Sequence, residues 1–195
     1  SQYGQPGPWP WFGKEKPHGP EEITIGAILT QNTSWRNVEY GLINLRRGKA
    51  CQLRKIYKLG QANMGKLKQL IKPVGFYNLK ASRLFEFARF IMENYGSLAN
   101  FLSQPLRKIR GELLQLRGIG KETADTILLY AGNRPIFVID NYTRRFVKKY
   151  KLSNKAKYDD LQEYFEQALP EDVELFQAYH ALIIKWGKEQ VSLKA

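Results

Sequence analysis

The sequence predicts an all-α fold, and three observations carry that expectation. Apolar residues recur at three- and four-residue spacing along most of the chain, the period of a helix buried on one face. Gly, Pro, Asn and Ser punctuate the intervals, where helices end and begin. A single stretch, Pro135-Ile136-Phe137-Val138-Ile139, reads as strand-like, and it has no second strand pattern to pair with. It is expected to be a buried connector.

The elements follow in order. Residues 1–20 are rich in Gly and Pro and cannot form a long helix. They nevertheless hold Trp9, Trp11 and Phe12, which a disordered tail normally lacks, so an extended segment with docked aromatics is expected. From Glu21, the positions Ile23, Ala27 and Ile28 mark a helix that breaks at Gln31-Asn32-Thr33. Asn32 or Thr33 is expected to cap the next helix, through Trp35, Val38, Leu42 and Leu45. Leu53, Ile56 and Leu59 make one further apolar face. Met64, Leu67, Leu70 and Ile71 make another, and Leu84, Phe87, Phe90 and Ile91 a third. Pro73-Val74-Gly75 breaks the chain before Tyr77. Leu106, Ile109, Leu113 and Leu114 predict a helix that stops at Arg117-Gly118, and Thr123 to Ala131 the next. Beyond the connector, helices are expected over Asn141–Tyr150, Tyr158–Ala168 and Val173–Lys188.

Lys and Arg number 31 against 18 for Asp and Glu, a formal net charge of +13 on 195 residues. Such a surplus draws a folded chain to polyanions, nucleic acid first. Cys51 is the lone cysteine, so an internal disulfide and a four-thiolate iron–sulfur cluster are both excluded. With only His18 and His180, a zinc site is not expected. No apolar run is long enough to span a bilayer, and no basic-then-apolar leader opens the sequence. An intracellular location, cytoplasm or nucleoid, is the expectation.

Leu116-Arg117-Gly118-Ile119-Gly120-Lys121 joins two amphipathic helices. Two glycines two apart allow positive φ and close backbone approach. Leu116 and Ile119 can plug inward and fix the interhelical angle. The N–H groups of Gly118 to Lys121 would then lie at a helix N-terminus, with free donors and partial positive charge suited to a phosphate. Hairpin carbonyls would offer a site for a monovalent cation. An ordinary αα-turn also often contains Gly. Asp140 follows the connector and precedes Asn141-Tyr142-Thr143-Arg144-Arg145. An Asp there can simply cap the next helix. It can also be a buried anion beside a cationic face, able to stabilise an oxocarbenium ion or to orient and deprotonate water.

The stretches LRGIGKETADTILLYA and PIFVIDNYTRRF resemble the helix-hairpin-helix, Gly/Pro-rich loop and aspartate signature of the endonuclease III superfamily of DNA glycosylases. IGAILTQNTSWRNVEYGL resembles the family's wedge-bearing loop, and VGFYNLKASRL its second intercalating loop. The resemblance covers about Ile23 to Lys188. It implies a helical barrel lobe over 21–134, with the helix-hairpin-helix at about 106–131. A second lobe would be built from 1–20 and 135–195, with DNA in the cleft between. It implies Asp140 as the essential aspartate, Gln31 as the residue that fills the hole left by a flipped base, and Phe76 as the wedge into the opposite strand. Together with Arg117, Gly118, Ile119, Gly120, Lys121 and Arg144, these make the expected DNA-binding set.

Two departures refine the expectation. Bifunctional members carry a nucleophilic lysine two residues after the second hairpin glycine, where this chain has Glu122. Lys121 is one step away, a turn of about 100° on a helix, so it should not reach the same sugar carbon. A monofunctional enzyme using water is expected. The cysteine-cluster loop that ends many relatives is also absent after Gly187. The cluster-free, lysine-free pattern with TQNTSW is most similar to the type III 3-methyladenine DNA glycosylases. In that subfamily an N-terminal Trp/Pro stretch and an aromatic after the TQNT turn line the base pocket, which nominates Trp9, Pro10, Trp11 and Trp35, although the order of Trp and Pro differs here. Tyr142, beside Asp140, can shape the pocket or merely pack, and Trp186 fits a helix face. Lys185 and Lys188 can reach the pocket or a phosphate, but lie on what reads as a solvated face.

Aromatic walls suit a cationic alkylated base, since a cation over a Trp face gains about 0.5–2 kcal/mol. The base must be flipped out to react. The expected partner is double-stranded DNA holding a damaged base, bound by a monomer without cofactor. Two alternatives remain. A uracil or thymine mismatch glycosylase would read the pyrimidine edge with amide donors such as Gln31, Asn32 or Asn141. A non-catalytic helix-hairpin-helix module would only grip DNA, and gains nothing from Asp140.

Overall fold

The computed structural model describes residues 19–192, which hold ten α-helices and no strand. Trp9, Pro10 and Trp11 therefore lie outside the described residues. Helix α1, Pro20–Leu29, starts on a proline with Glu21 and Glu22 in its first turn, both favourable at a helix N-terminus. Its residues Ile23 to Leu29 are all buried, as befits a helix with little polar character beyond its first turn. Helices α2 (Trp35–Arg47), α4 (Tyr77–Asn94) and α7 (Lys121–Thr126) pack around it.

Helix α2 spans Trp35–Arg47, and its N-cap is Ser34 rather than Asn32 or Thr33. A turn closed by Thr33 N–H donating to Thr30 O comes first, with Asn32 in the left-handed region at φ 53°. Thr33 Oγ1 instead accepts from Asn37 Nδ2 at 3.2 Å. The two apolar faces read separately at Leu53–Leu59 and Met64–Ile71 form one element, α3, Leu53–Leu70. It is broken at Asn63 (φ −158°, ψ 83°), whose Oδ1 accepts from Lys66 N at 2.9 Å and so caps the second half.

A single 3₁₀ turn, Lys72–Val74, leads into α4, Tyr77–Asn94. Gly75 (φ 66°) and Phe76 (φ 43°) make two successive positive-φ residues, and Phe76 is 72% exposed. Lys80 pins this strained tip from inside: it is 2% exposed and donates from Nζ to Val74 O at 2.7 Å. Burial, and then the charge of Arg83, push the Lys80 amine below its ordinary value. The short helix α5, Leu98–Leu102, was not anticipated; Ser97, accepting from Asn100 N at 3.1 Å, is its sequence signal.

Helices α6, Leu106–Gln115, and α7, Lys121–Thr126, form the hairpin. The expected helix through Ala131 widens after Thr126 into a π segment, Ile127–Ala131, where Gly132 N–H reaches back five residues to Ile127 O at 3.0 Å. The wider turn buries Leu128, Leu129, Tyr130 and Ala131 in succession, and both α1 and the helix α10 (Val173–Ser192) pack on it. Helices α8 (Asn141–Tyr150), α9 (Tyr158–Ala168) and α10 (Val173–Ser192) follow. The first two have the bounds predicted, and α10 runs past Lys188.

The connector is buried at Ile136, Phe137, Val138 and Ile139, yet it has no strand beside it. Buried backbone groups need partners, and α9 supplies them from one face. Tyr158, Gln162 and Glu166 stand four residues apart. Ile139 N–H donates to Tyr158 Oη at 3.4 Å, Gln162 Nε2 donates to Phe137 O at 2.7 Å, and Phe137 N–H donates to Glu166 Oε1 at 2.8 Å. Behind this ladder Asp125, fully buried, accepts from Arg110 (2.7 and 2.9 Å), Tyr158 Oη (2.8 Å) and Gln162 Nε2 (2.8 Å). The ring of Phe137 stacks on Phe165 at 4.4 Å, with Phe176 edge-on at 5.4 Å. The apolar core is continuous from Ile28 and Leu84 through Phe137 to Phe165 and Ile183. Among the described residues no helix is long and apolar enough to cross a membrane.

Gln162→Leu, similar in volume, should lower stability by about 1–3 kcal/mol by stranding Phe137 O. Gln167→Leu, on the exposed face of the same helix, should stay within about 0.5 kcal/mol. Urea midpoints at constant slope measure both, and equal effects would refute the ladder's role.

Candidate active site and glycine hairpin

The connector delivers Asp140 to the start of α8, and the carboxylate's two oxygens have different surroundings. Oδ1 accepts from Thr143 N at 2.7 Å and from Thr143 Oγ1 at 2.9 Å, so Asp140 is indeed the helix cap. Oδ2 faces His180 Nε2 of α10 at 3.6 Å. Asp140 is 8% exposed. Burial pushes its carboxyl up, but His180 and the two Thr143 hydrogen bonds together outweigh that and hold it below the ordinary Asp value. A carboxylate is thus kept ionised inside the protein.

Glu122, on α7, is the other carboxylate of the site. Its side chain opens to solvent on one side but is crowded on the other. That partial burial, and then the charge of Asp140, push its carboxyl above the ordinary Glu value; His180 and Arg144 draw it back. Lys121 goes elsewhere: its Nζ pairs with Asp159 Oδ2 at 2.5 Å and lies over the Tyr158 ring at 6.0 Å. The residue on the Asp140 side of α7 is therefore an acid and not an amine. Cys51 adds no nucleophile, since burial and Glu22 push its thiol up to about 12.

In the hairpin, Ile119 N–H donates to Leu116 O at 3.0 Å, and Ile119 is buried, the plug expected. The two glycines behave differently from one another. Gly118 takes φ +87°, and a Cβ there would meet Arg83 Nε at 2.2 Å. Gly120 does not need positive φ: it is extended at φ −90°, caps α7, and has nothing within 4 Å of where a Cβ would stand. Its missing side chain leaves the helix N-terminus open. Arg117 is exposed beside it.

The structure gathers Gln31 onto this hairpin. Its Nε2 donates to Gly118 O at 2.8 Å and to Thr123 Oγ1 at 3.0 Å, and its Oε1 accepts from Arg83 at 2.5 Å. Phe76 stands apart on its exposed tip, at the start of the helix that carries Arg83. Arg144 donates to Ala156 O in the α8–α9 loop. The Tyr142 ring fills the space that Gly187 leaves on α10, where a Cβ would meet it at 2.2 Å, and Arg145 lies over it at 5.8 Å. Trp35 is half-buried at the start of α2 and lines a groove with Arg36, Tyr40 and Ile43, all from the same helix. Trp186 packs edge-on against Phe146 at 5.2 Å. Lys185 and Lys188 lie on the exposed side of α10.

Sequence reasoning missed His180 and Tyr130 as neighbours of Asp140, and Arg83 and Thr123 as partners of Gln31. The signal for His180 was its place in the inward stripe Phe176, His180, Ile183. The others are set by helix packing between distant segments.

The fold thus combines a glycine hairpin between two helices with a buried aspartate delivered by an extended connector. The profile of the HhH-GPD superfamily base excision DNA repair proteins matches residues 25–171, and the chain belongs to that superfamily. A provisionally named DNA repair glycosylase of Methanocaldococcus jannaschii is 47% identical over 177 residues, 89% of this chain and 79% of that protein. The crystal structure of the H. pylori 3-methyladenine DNA glycosylase bound to 1,N6-ethenoadenine superposes with a TM-score of 0.80 at 30% identity, covering 93% of this chain and 90% of that one. A non-covalent endonuclease III–DNA complex shares the fold with a TM-score of 0.70 at 20% identity, over 85% and 72% of the two chains.

Two outcomes are expected. Gly118→Ala should lose about 1–3 kcal/mol through its positive φ, whereas Gly120→Ala should lose under about 1 kcal/mol as a cap change; thermal unfolding distinguishes them. The folded-state pKa of Asp140 is lowered. Its stabilisation is therefore full above the ordinary Asp value of about 3.9 and is lost as pH falls through the folded value. Asp140→Asn should flatten the acid side of a stability–pH profile, and an unchanged acid slope would contradict the cause assigned.

Proposed function

We propose that this DNA glycosylase of the HhH-GPD superfamily removes alkylated purines such as 3-methyladenine by hydrolysis, without cutting the strand. The observation that carries the reading is the carboxylate of Asp140, held ionised within the protein, with Glu122 where a lysine nucleophile would stand. Resemblance to the H. pylori enzyme supports the substrate class.

In this reading the hairpin N–H groups from Gly118 to Lys121 take a DNA phosphate, aided by Arg117 and Arg144. A monovalent cation on the hairpin carbonyls belongs to the same proposal. Phe76 wedges the strand opposite the lesion and Gln31 fills the gap left by the flipped nucleotide. Trp35 and Tyr142, together with Trp9, Pro10 and Trp11, form the base pocket, whose π faces favour a cationic base. As the glycosidic bond breaks, positive charge builds on the sugar, and Asp140 Oδ2 is the oxygen available to stabilise it and to orient water. A cationic leaving base needs little acid catalysis. The pairing of Lys121 with Asp159 supports a reading without a Schiff base.

Duplexes carrying one modified base test this directly. Release of 3-methyladenine or 7-methylguanine is expected; release of uracil or thymine from a G mismatch would move the assignment to a mismatch glycosylase. No release at all would leave a DNA-gripping module. Asp140→Asn should bind the same duplex and release base at least ~10²-fold more slowly. Borohydride should trap no covalent adduct, and a strong one would overturn the monofunctional reading. Phe76→Ala should weaken binding to lesion duplexes, and an unchanged affinity would remove Phe76 from the DNA-contacting set.

A further inference from the structure

His180 is buried, 4% exposed, on a stretch of α10 that otherwise contributes apolar residues to the core. Its two ring nitrogens face different groups. Nε2 lies 3.6 Å from Asp140 Oδ2, and Nδ1 lies 2.8 Å from Tyr130 Oη. Tyr130 is itself buried, 3% exposed, in the π segment that follows the hairpin helix. Three elements thus meet in one line, Tyr130 to His180 to Asp140. The line ends on the carboxylate oxygen that the helix cap does not use.

We propose that His180 is a positioning residue of the reaction, aiming an Nε2–H at Asp140 Oδ2, with Tyr130 setting the tautomer. The inference rests on Asp140 being the group that faces the sugar. A phenol that donates to Nδ1 leaves the imidazole proton on Nε2, toward the carboxylate. Gln177 O, at 3.4 Å, is also within reach of the phenol proton, and the Nδ1 contact is shorter. Burial, and then the charge of Asp140, raise the Tyr130 phenol well above its ordinary value, so it stays a donor.

Thr143 holds Oδ1 from one side. A donor on Oδ2 narrows the χ2 well from the other side, a torsion that is otherwise broad for Asp. At 3.6 Å the contact is longer than a formed hydrogen bond, as catalytic contacts often are before substrate binds. Titratable or charged groups that share this site are Tyr130 from the π segment, Glu122 from α7, which feels Asp140, His180 and Arg144, and Arg144 from α8. For Asp140 itself, His180 is the largest of the influences that oppose burial, ahead of Thr143.

The test is a pH titration of the Asp140 carboxyl by 13C NMR, assigned by the signal lost in Asp140→Asn, beside single-turnover base release across the same pH range. In His180→Ala the Asp140 titration should move up by about one unit or more. The acid limb of base release should move with it, about tenfold in rate within that limb. His180→Gln, which keeps an N–H near the Nε2 position, should restore most of both. Tyr130→Phe, closely isosteric, should shift both the same way by less. Affinity for a duplex with an abasic-site analogue should not change in any of them. An Asp140 titration unchanged in His180→Ala overturns the proposal, as does a Gln variant no better than Ala. If the wild-type chain releases no base, the functional reading fails by itself, while the NMR titration still decides whether His180 governs Asp140.

Discussion

An extended segment buried without a strand beside it is the constraint on which the rest of this molecule depends. Residues Pro135–Ile139 carry peptide groups into the core, and each unmet N–H or C=O there would cost about 1–3 kcal/mol. Helix α9 meets that requirement with Tyr158, Gln162 and Glu166, one face of a helix standing in for a neighbouring strand. Asp125 then ties Tyr158 and Gln162 to Arg110 of α6, so the ladder is braced from the hairpin side. Since Asp140 is the next residue, the precision of its placement is inherited from this scaffold.

The carboxylate has two oxygens, and the fold assigns them separate duties. Capping consumes one; the other is turned toward His180. The two readings that the sequence leaves open at Asp140, cap or functional anion, are therefore compatible within one side chain. Nor is the depressed pKa a product of exposure or of a salt bridge to arginine. It comes from an imidazole and a threonine acting against desolvation. The neighbouring Glu122 is shifted in the opposite direction by its crowding and by Asp140, so two acids of similar intrinsic strength are driven apart within one site.

Much of the fold was legible because helical periodicity is a local property. The helices Asn141–Tyr150 and Tyr158–Ala168 have the bounds that their apolar spacing predicts. What failed was local chemistry overridden by packing. Asn32 looks like a cap but sits in the left-handed region of a turn, leaving Ser34 to open α2. The run to Ala131 looks like ordinary helix, but it widens to a π turn where α1 and α10 both pack on it. At the site, Asp140 and the hairpin glycines were visible through spacing and resemblance. His180, Tyr130 and Arg83 were not, because their contacts join residues 40 to 52 positions apart or come from different helices. Gly120 carried the right identity for a different reason: the open space it leaves, rather than its backbone freedom.

Gln31 has a further consequence. Its amide is held by Gly118, Thr123 and Arg83, so the side chain and the hairpin occupy one another. At about 0.5–1.5 kcal/mol net for each hydrogen bond, leaving this socket is a modest uphill step. On the proposal that Gln31 fills the place of a flipped nucleotide, DNA that draws it out competes with an internal ligand, and thermodynamic linkage makes the competition reciprocal. Affinity for DNA is then measured against the socket as well as against water. Loosening Arg83 would tighten insertion without adding a single contact to DNA. The resting protein, in this sense, sets the threshold that a duplex must exceed before the side chain leaves home.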